Sequence, residues 1–382
     1  MGPIKSRILS ILVLAVLLGL NIQAQEEQDK KGFWAAFRDS EDGAFDISDW
    51  LITKKGLLVV PTIITEPSVG YGAAAAAVYF HSAYSEKNGP PSMTGGFGGA
   101  TENGTWAGGV FHEGIWKQDR IRYRGVLARM YANVAYFGSG DAAIMGDQSI
   151  NLNLDAWVLL QQIKFRIARS NFFIGGSYLY LDTYNTFEIP VDIPEFTGVE
   201  FSSTLSEATM ILNFESRDNV FTPTRGVFLE LSGTYSDTWF GGEDQYGRIG
   251  ASALGFFPAA RKVVVGLRYE SRFSLGEVPF YARPIISMRG VPLMKYQNKN
   301  TTLMEAEIDW NLYKRWSVVG FTGIGNAYSS FEEFDKGKTV RSLGAGFRYM
   351  IARKLGANMG IDVAFSNDDW AFYIVFGSAW LK

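Results

Sequence analysis

Two histidines, His81 and His112, are the only imidazoles in the 382-residue chain, and cysteine is absent. This excludes disulfides, cysteine-ligated zinc, iron–sulfur clusters and thiol catalysis, and leaves too few imidazoles for most metal hydrolase sites. His81 adjoins Ser82 and His112 adjoins Glu113. Adjacent residues of a strand point to opposite faces, so neither pair can act as nucleophile and base together. A cross-strand assembly stays open, as does a plain wall histidine. Glu305 and Glu307 stand i, i+2 on one face, the spacing of paired carboxylates. Arg268, Arg272 and Arg348 are at hand to neutralise them, which suits ion pairs better than acid–base work. The run Asp39-Ser40-Glu41-Asp42-Gly43 hints at calcium, but with Gly43 at position six of an EF-hand loop, Arg38 falls where the first carboxylate is required. No phosphate-cradling loop or dinucleotide fingerprint occurs in a strand-to-helix setting. The expectation is a non-enzyme with no catalytic residues, no metal and no cofactor; an outer-membrane lipid hydrolase is the enzymatic alternative.

What would hold these side chains is read from composition and periodicity. With 36 basic against 39 acidic residues, bulk charge gives no reason to expect a nucleic-acid partner, and 47% apolar residues exclude disorder. The N-terminus carries Lys5 and Arg7, a mainly apolar stretch from Ile8 to Leu20, and then Asn21-Ile22-Gln23-Ala24. That layout predicts a signal peptide over 1–24, its apolar core too short to span a bilayer. Residues 25–56 are too few for an independent core and predict a short periplasmic segment, lying on the membrane or tucked into a barrel mouth.

Residues 57–382 alternate with period two. Met304, Ala306, Ile308, Trp310 and Leu312 oppose Glu305, Glu307, Asp309 and Asn311; Val263, Val265, Leu267 and Tyr269 oppose Val264, Gly266, Arg268 and Glu270. One face suits lipid and the other does not, and aromatic residues recur near the expected strand ends: Trp106, Trp116, Phe172, Tyr184, Tyr235, Trp239, Trp370 and Trp380. Glycines fall on the polar face at Gly266, Gly344, Gly346 and Gly360, as a wall packed against a plug requires. The pattern predicts an all-β, 16-stranded antiparallel transmembrane β-barrel, with a first strand at 57–64, a seventh at 171–183 and a last at 369–380. An even strand number puts both termini on one side, expected to be periplasmic. Connections on that side are short and basic (Lys314-Arg315, Arg353-Lys354), whereas the opposite ones are acidic (Glu332, Glu333, Asp335).

The loop 276–301 contains Ser287-Met288-Arg289-Gly290-Val291-Pro292. Here the chain resembles the BamA/TamA superfamily of outer-membrane barrels, the bacterial surface antigen family, whose loop at this position carries a [VI]RG[FY]-type motif. Arg217, Asp218, Pro223 and Gly226 look like that family's turn block after the eighth strand. Phe321-Thr322-Gly323-Ile324-Gly325-Asn326 is similar to its FxDxGN segment, and Phe376, Gly377 and Trp380 to its closing strand. The resemblance covers about residues 55 to 380. It implies that Arg289 and Gly290 fold back into the lumen, with Glu307 as the partner of the arginine. Gly323 stands where the family has a wall aspartate, which leaves one carboxylate instead of two, and Val291 replaces the motif's aromatic residue. The thirty residues before the barrel imply a member lacking POTRA domains.

The expected function is to assist insertion or translocation of a protein or lipid client in the outer membrane by opening a seam where strand 369–380 pairs weakly with strand 57–64. The partners so implied are outer-membrane lipids and a periplasmic or outer-membrane protein. A passive channel or a purely structural barrel is the alternative.

Overall fold

The computed structural model describes residues 37–49, 56–66, 68–81, 92–138, 149–188, 199–367 and 369–380. Its strands are β1 (Gly56–Ile64), β2 (Gly72–Phe80), β3 (Met93–Thr101), β4 (Trp106–Trp116), β5 (Ile121–Tyr136), β6 (Ile150–Arg166), β7 (Phe172–Glu188), β8 (Val199–Glu215), β9 (Gly226–Ser236), β10 (Tyr246–Ala260), β11 (Val263–Leu275), β12 (Asn300–Tyr313), β13 (Trp316–Tyr328), β14 (Lys338–Ala352), β15 (Ala357–Ser366) and β16 (Asp369–Phe376). Each pairs antiparallel with its sequence neighbours in one 16-stranded sheet. The sheet curls until β1 and β16 face one another. Turns after even strands share a rim with the termini, here the near rim; turns after odd strands form the far rim. The predicted signal peptide lies outside the described residues.

Alternation orients the wall as the period-two pattern requires. Met304, Ile308, Trp310 and Leu312 of β12 are exposed, whereas Leu303 and Glu305 are buried. Exposed apolar residues on a nearly closed sheet, with charged residues inside, invert the soluble arrangement and fit a lipid solvent. Trp106, Trp116, Phe172, Tyr184, Tyr235, Trp239 and Trp370 are exposed on the wall or its rims.

Trp380 departs from that set. It is 4% exposed and lies inside, packed with Phe228, Leu254 and Phe256. The last strand is shorter than its apolar pattern suggests: it stops at Phe376, so Phe376 belongs to the seam strand and Gly377 and Trp380 do not. Gly377 adopts φ 72°, the left-handed region that glycine enters without a Cβ penalty. A Cβ there would lie 2.5 Å from the Phe221 carbonyl oxygen. The Gly377 and Ser378 amides donate to the Asn358 and Phe221 carbonyls, both at 2.6 Å, and turn the tail inward. β7, by contrast, continues to Glu188, because Thr183 to Phe187 keep their ladder with Val199 to Ser203 of β8.

Ser48 and Asp49 are helical, and the residues before them make a tight turn; the rest of the predicted segment lies outside the described residues. An isolated bridge, Arg38 to Phe45, closes a turn that is clamped under the near rim. Arg315, between β12 and β13, receives Asp39, Asp42 and Asp46 at 2.6–2.8 Å, and Arg353, after β14, receives Asp39 at 2.7 Å and also Glu41. The acidic run is thus committed to the basic near-rim turns.

Candidate functional site: the lumenal loop and the seam

The β11–β12 connection, residues 276–299, enters the barrel from the far rim. Ile286, Met288, Val291 and Tyr296 form a buried cluster with Leu303, Ala327 and Val340 of β12 to β14. Apolar burial on the inner wall holds the loop in place. Val291, where the related motif has an aromatic residue, is part of this cluster.

Gly290 makes the tight passage. Its φ is 83°, and a Cβ would meet the backbone of Ala364 at 3.1 Å. The Gly290 amide donates to the Tyr373 hydroxyl at 2.9 Å, and its carbonyl accepts from Ser366. One residue earlier, the Arg289 carbonyl accepts from the Ser342 hydroxyl at 2.5 Å.

The Arg289 guanidinium therefore arrives among β12, β13 and β15. Its Nη2 lies 2.7 Å from Glu307 Oε2, and its Nη1 donates to Asp362 Oδ2 at 2.7 Å. The cation stacks 3.5 Å above the Phe321 ring centroid. Arg348 of β14 donates to both Asp362 oxygens, at 2.5 and 2.9 Å, so this wholly buried carboxylate serves two arginines. The single-carboxylate expectation is thereby corrected. Gly323 does lack the wall carboxylate, but β15 supplies a second one from two strands away. Asp362 was legible as an inward residue of its strand; its pairing depends on the path of the loop, which alternation does not report. Beside the lock is a cavity of about 220 Å³ lined by Arg289, Arg268, Glu305, Tyr373 and Trp380.

The same loop contacts both edges of the seam. The Leu293 amide donates to Ser68 Oγ, between β1 and β2, at 2.6 Å, while Lys295 pairs with Asp369 of β16 at 2.6 Å. Tyr296 accepts from Asn367, just before β16, at 2.9 Å. Between β1 and β16 themselves there is no ladder among the described residues. Thr65, just past β1, donates to the Phe372 carbonyl, and Tyr71 stacks on Phe372 at 6.0 Å. Among the described residues the edge expected to pair weakly carries these contacts and no ladder.

The turn block sits across the near rim. Arg217 pairs with Glu215 at 2.6 Å over the Phe228 ring, and Asp218 accepts from the amides of Thr224 and Arg225. Pro223, buried in the turn, follows Thr222, whose hydroxyl accepts from the Asn358 amide at 3.2 Å. Gly226 has φ 101°, and a Cβ would strike the Ser216 carbonyl at 2.3 Å. Asn219 donates to the Leu355 carbonyl at 2.7 Å, so the turn reaches β15 and the inward tail from across the opening.

His81 and His112 come together, though not with Ser82, which lies outside the described residues, or with Glu113, which pairs with Arg124 on the inner face. Thr94 of β3 hydrogen-bonds His81 Nε2 at 2.8 Å and His112 Nδ1 at 2.7 Å, on the outer face between Tyr79 and Trp116. Among the described residues the two imidazoles share the Thr94 hydroxyl and have aromatic neighbours, the surroundings of an interfacial wall cluster.

An Omp85 superfamily domain model matches residues 147–285. Among solved structures, the chain is similar to BamA from Haemophilus ducreyi lacking POTRA domains 1-3 (11% identity, TM-score 0.57), covering 85% of this chain and 70% of that one. It is also similar to CdiB from Escherichia coli (11% identity, TM-score 0.57; 83% and 62% covered) and to CdiB from Acinetobacter baumannii (8% identity, TM-score 0.56; 84% and 59% covered). The chain thus spans about three-fifths of the CdiB chains. A search of curated protein sequences finds no significant match.

Proposed function

The chain carries an Omp85 superfamily domain on a sixteen-stranded barrel of the BamA fold, and from that premise we propose that it assists insertion or translocation of a protein or lipid client in the outer membrane, by transient opening between β1 and β16. The observation that carries this reading is the seam: among the described residues every other neighbouring pair of strands is joined by a ladder, and this one is not. An edge with free amides and carbonyls can pair with an incoming strand. The lumenal loop, tied to Ser68 on one side and to Tyr373 and Asp369 on the other, would hold the two edges in register until a client displaces them.

In this reading the termini and the basic turns face the periplasm, residues 1–24 direct export, and residues 25–56 form a periplasmic segment that fastens to the rim through Arg315 and Arg353. The Arg289, Glu307 and Asp362 cluster is a structural lock. No side chain is assigned a catalytic role. A passive channel is the second reading; the loop and the buried clusters standing inside the barrel weigh against it.

The test uses the absence of cysteine. Ile63→Cys combined with Phe372→Cys, closed by oxidation, should abolish the barrel's contribution to outer-membrane integrity, and reduction should restore it. If the oxidised barrel performs as well as the reduced one, the seam is only a wall and the channel or structural reading replaces this one.

A further inference from the structure

Two arginines point outward from the described strands, and they are treated differently. Arg129 of β5 is neutralised by Asp155 at 2.6 Å and lies over the Trp157 ring. Arg341 of β14 is exposed and has no carboxylate partner among the described residues. The ladders place it at the end of a row of outward residues, Ala253, Tyr269, Met304, Ile324 and Arg341, one per strand from β10 to β14. Toward the far rim from this row stand the exposed rings of Phe331 and Phe334, the former 5.2 Å from Phe273. Toward the near rim, six residues along β14, is the row of Trp310, Val318 and Phe347, roughly 20 Å away along the strand. Arg341 is therefore set inside the aromatic boundary, on the lipid face, where an uncompensated charge is unfavourable in proportion to its depth.

Next to it the wall is indented. Ala253, Gly255 and Ala306 form the floor of an outward furrow of about 600 Å³, flanked by Phe257, Met304 and Ile324 and reaching Arg341. An apolar furrow opening to the bilayer accepts a hydrocarbon chain. A guanidinium at its end, lacking a protein counter-ion, calls for an anion able to accept two parallel hydrogen bonds, and phosphate has that geometry.

We propose that Arg341 and this furrow form a binding site for one phosphorylated lipid, with the guanidinium on the lipid phosphate and an acyl chain along Ala253, Gly255 and Ala306. The site is on the far side of the sheet from the lumenal lock and does not depend on seam opening.

Native mass spectrometry of the purified barrel, exchanged from mixed micelles, tests it with phosphatidylglycerol as probe, diacylglycerol of the same chains as uncharged control and inorganic phosphate as competitor. The wild type should retain one phosphatidylglycerol. R341Q should retain it about tenfold less well, as expected for loss of a charge-assisted pair, and R341K should fall between the two. A253L/A306L, which fills the furrow and keeps the charge, should also lose the lipid, and diacylglycerol should not distinguish wild type from R341Q. Equal retention by wild type and R341Q overturns the proposal. Displacement by inorganic phosphate together with full retention by A253L/A306L overturns it in favour of a bare anion site. Unchanged heat-modifiable migration of each variant shows that the barrel is intact, and R341K keeps the comparison decisive if R341Q is not.

Discussion

Replacing Asp362 by asparagine should destabilise the barrel more than replacing Glu307 by glutamine, although both carboxylates face Arg289. Asp362 is wholly buried and takes three hydrogen bonds from two guanidiniums, Arg289 and Arg348. The asparagine side chain removes the charge, leaving Arg348 without its carboxylate and Arg289 with Glu307 alone. Breaking a buried pair by removing one partner costs about 3–5 kcal/mol, because the remaining charge stays out of water. Glu307 is 13% exposed on its side chain and meets a single Arg289 nitrogen. Its loss leaves Arg289 paired with Asp362 and removes an ion pair that lacks hydrogen-bond geometry, at a cost of about 1–3 kcal/mol for the group left unsatisfied. Urea unfolding in micelles, followed by heat-modifiable gel mobility and tryptophan fluorescence, measures both. A double change, Asp362→Leu with Arg348→Met, should cost less than the sum of the singles, since the second substitution removes a stranded cation. If Glu307→Gln proves as damaging as Asp362→Asn, the second carboxylate is not the anchor and the assignment of the lock is wrong.

Two further outcomes follow from named contacts. Acidification should release residues 37–49. A backbone hydrogen bond from Glu41, aided by Arg353 and Arg315, holds the Asp39 carboxyl below its ordinary range; hydrogen bonds from Arg353 and Arg315 do the same for Glu41 and Asp42. Groups with depressed values contribute stability above the ordinary carboxylate range and lose it as pH falls through their lowered values, so protease protection of this segment should persist at neutral pH and be lost only on acidification below the ordinary carboxylate range. Gly290→Ala should destabilise by about 1–3 kcal/mol, from the positive φ and the close approach to Ala364; an unchanged unfolding midpoint would show that the loop enters the lumen by another path.

Much of the wall was legible because alternation is local: which residues of a strand face inward depends on that strand alone. The strand count, the lipid-facing set and the inward placement of Glu305, Glu307 and Asp362 all come from this one property. Contacts that depend on how distant segments fold back were not legible in the same way. The inward turn at Gly377 reverses the role of Trp380 from girdle to lumen, and nothing in its spacing from Trp370 signals this. The acidic run at Asp39 was readable as charge but not as the counterpart of Arg315, some 270 residues away.

The interior did leave a trace in the sequence, in the inward glycines. A Cβ on Gly344 would lie 2.2 Å from the Phe321 ring, and one on Gly346 would lie 2.0 Å from Asp362 Oδ1. These are the ring under the Arg289 guanidinium and the carboxylate beside it. Larger side chains at either place would displace the groups that receive the arginine, so β14 shapes the lock with what it omits as much as with Arg348. Gly266 makes room for Trp380 in the same way, at 2.8 Å. A glycine on the charged face of a barrel strand marks a neighbour that leans across the ladder, and pairing each such glycine with its ladder partner is the step that would have led from alternation to Asp362.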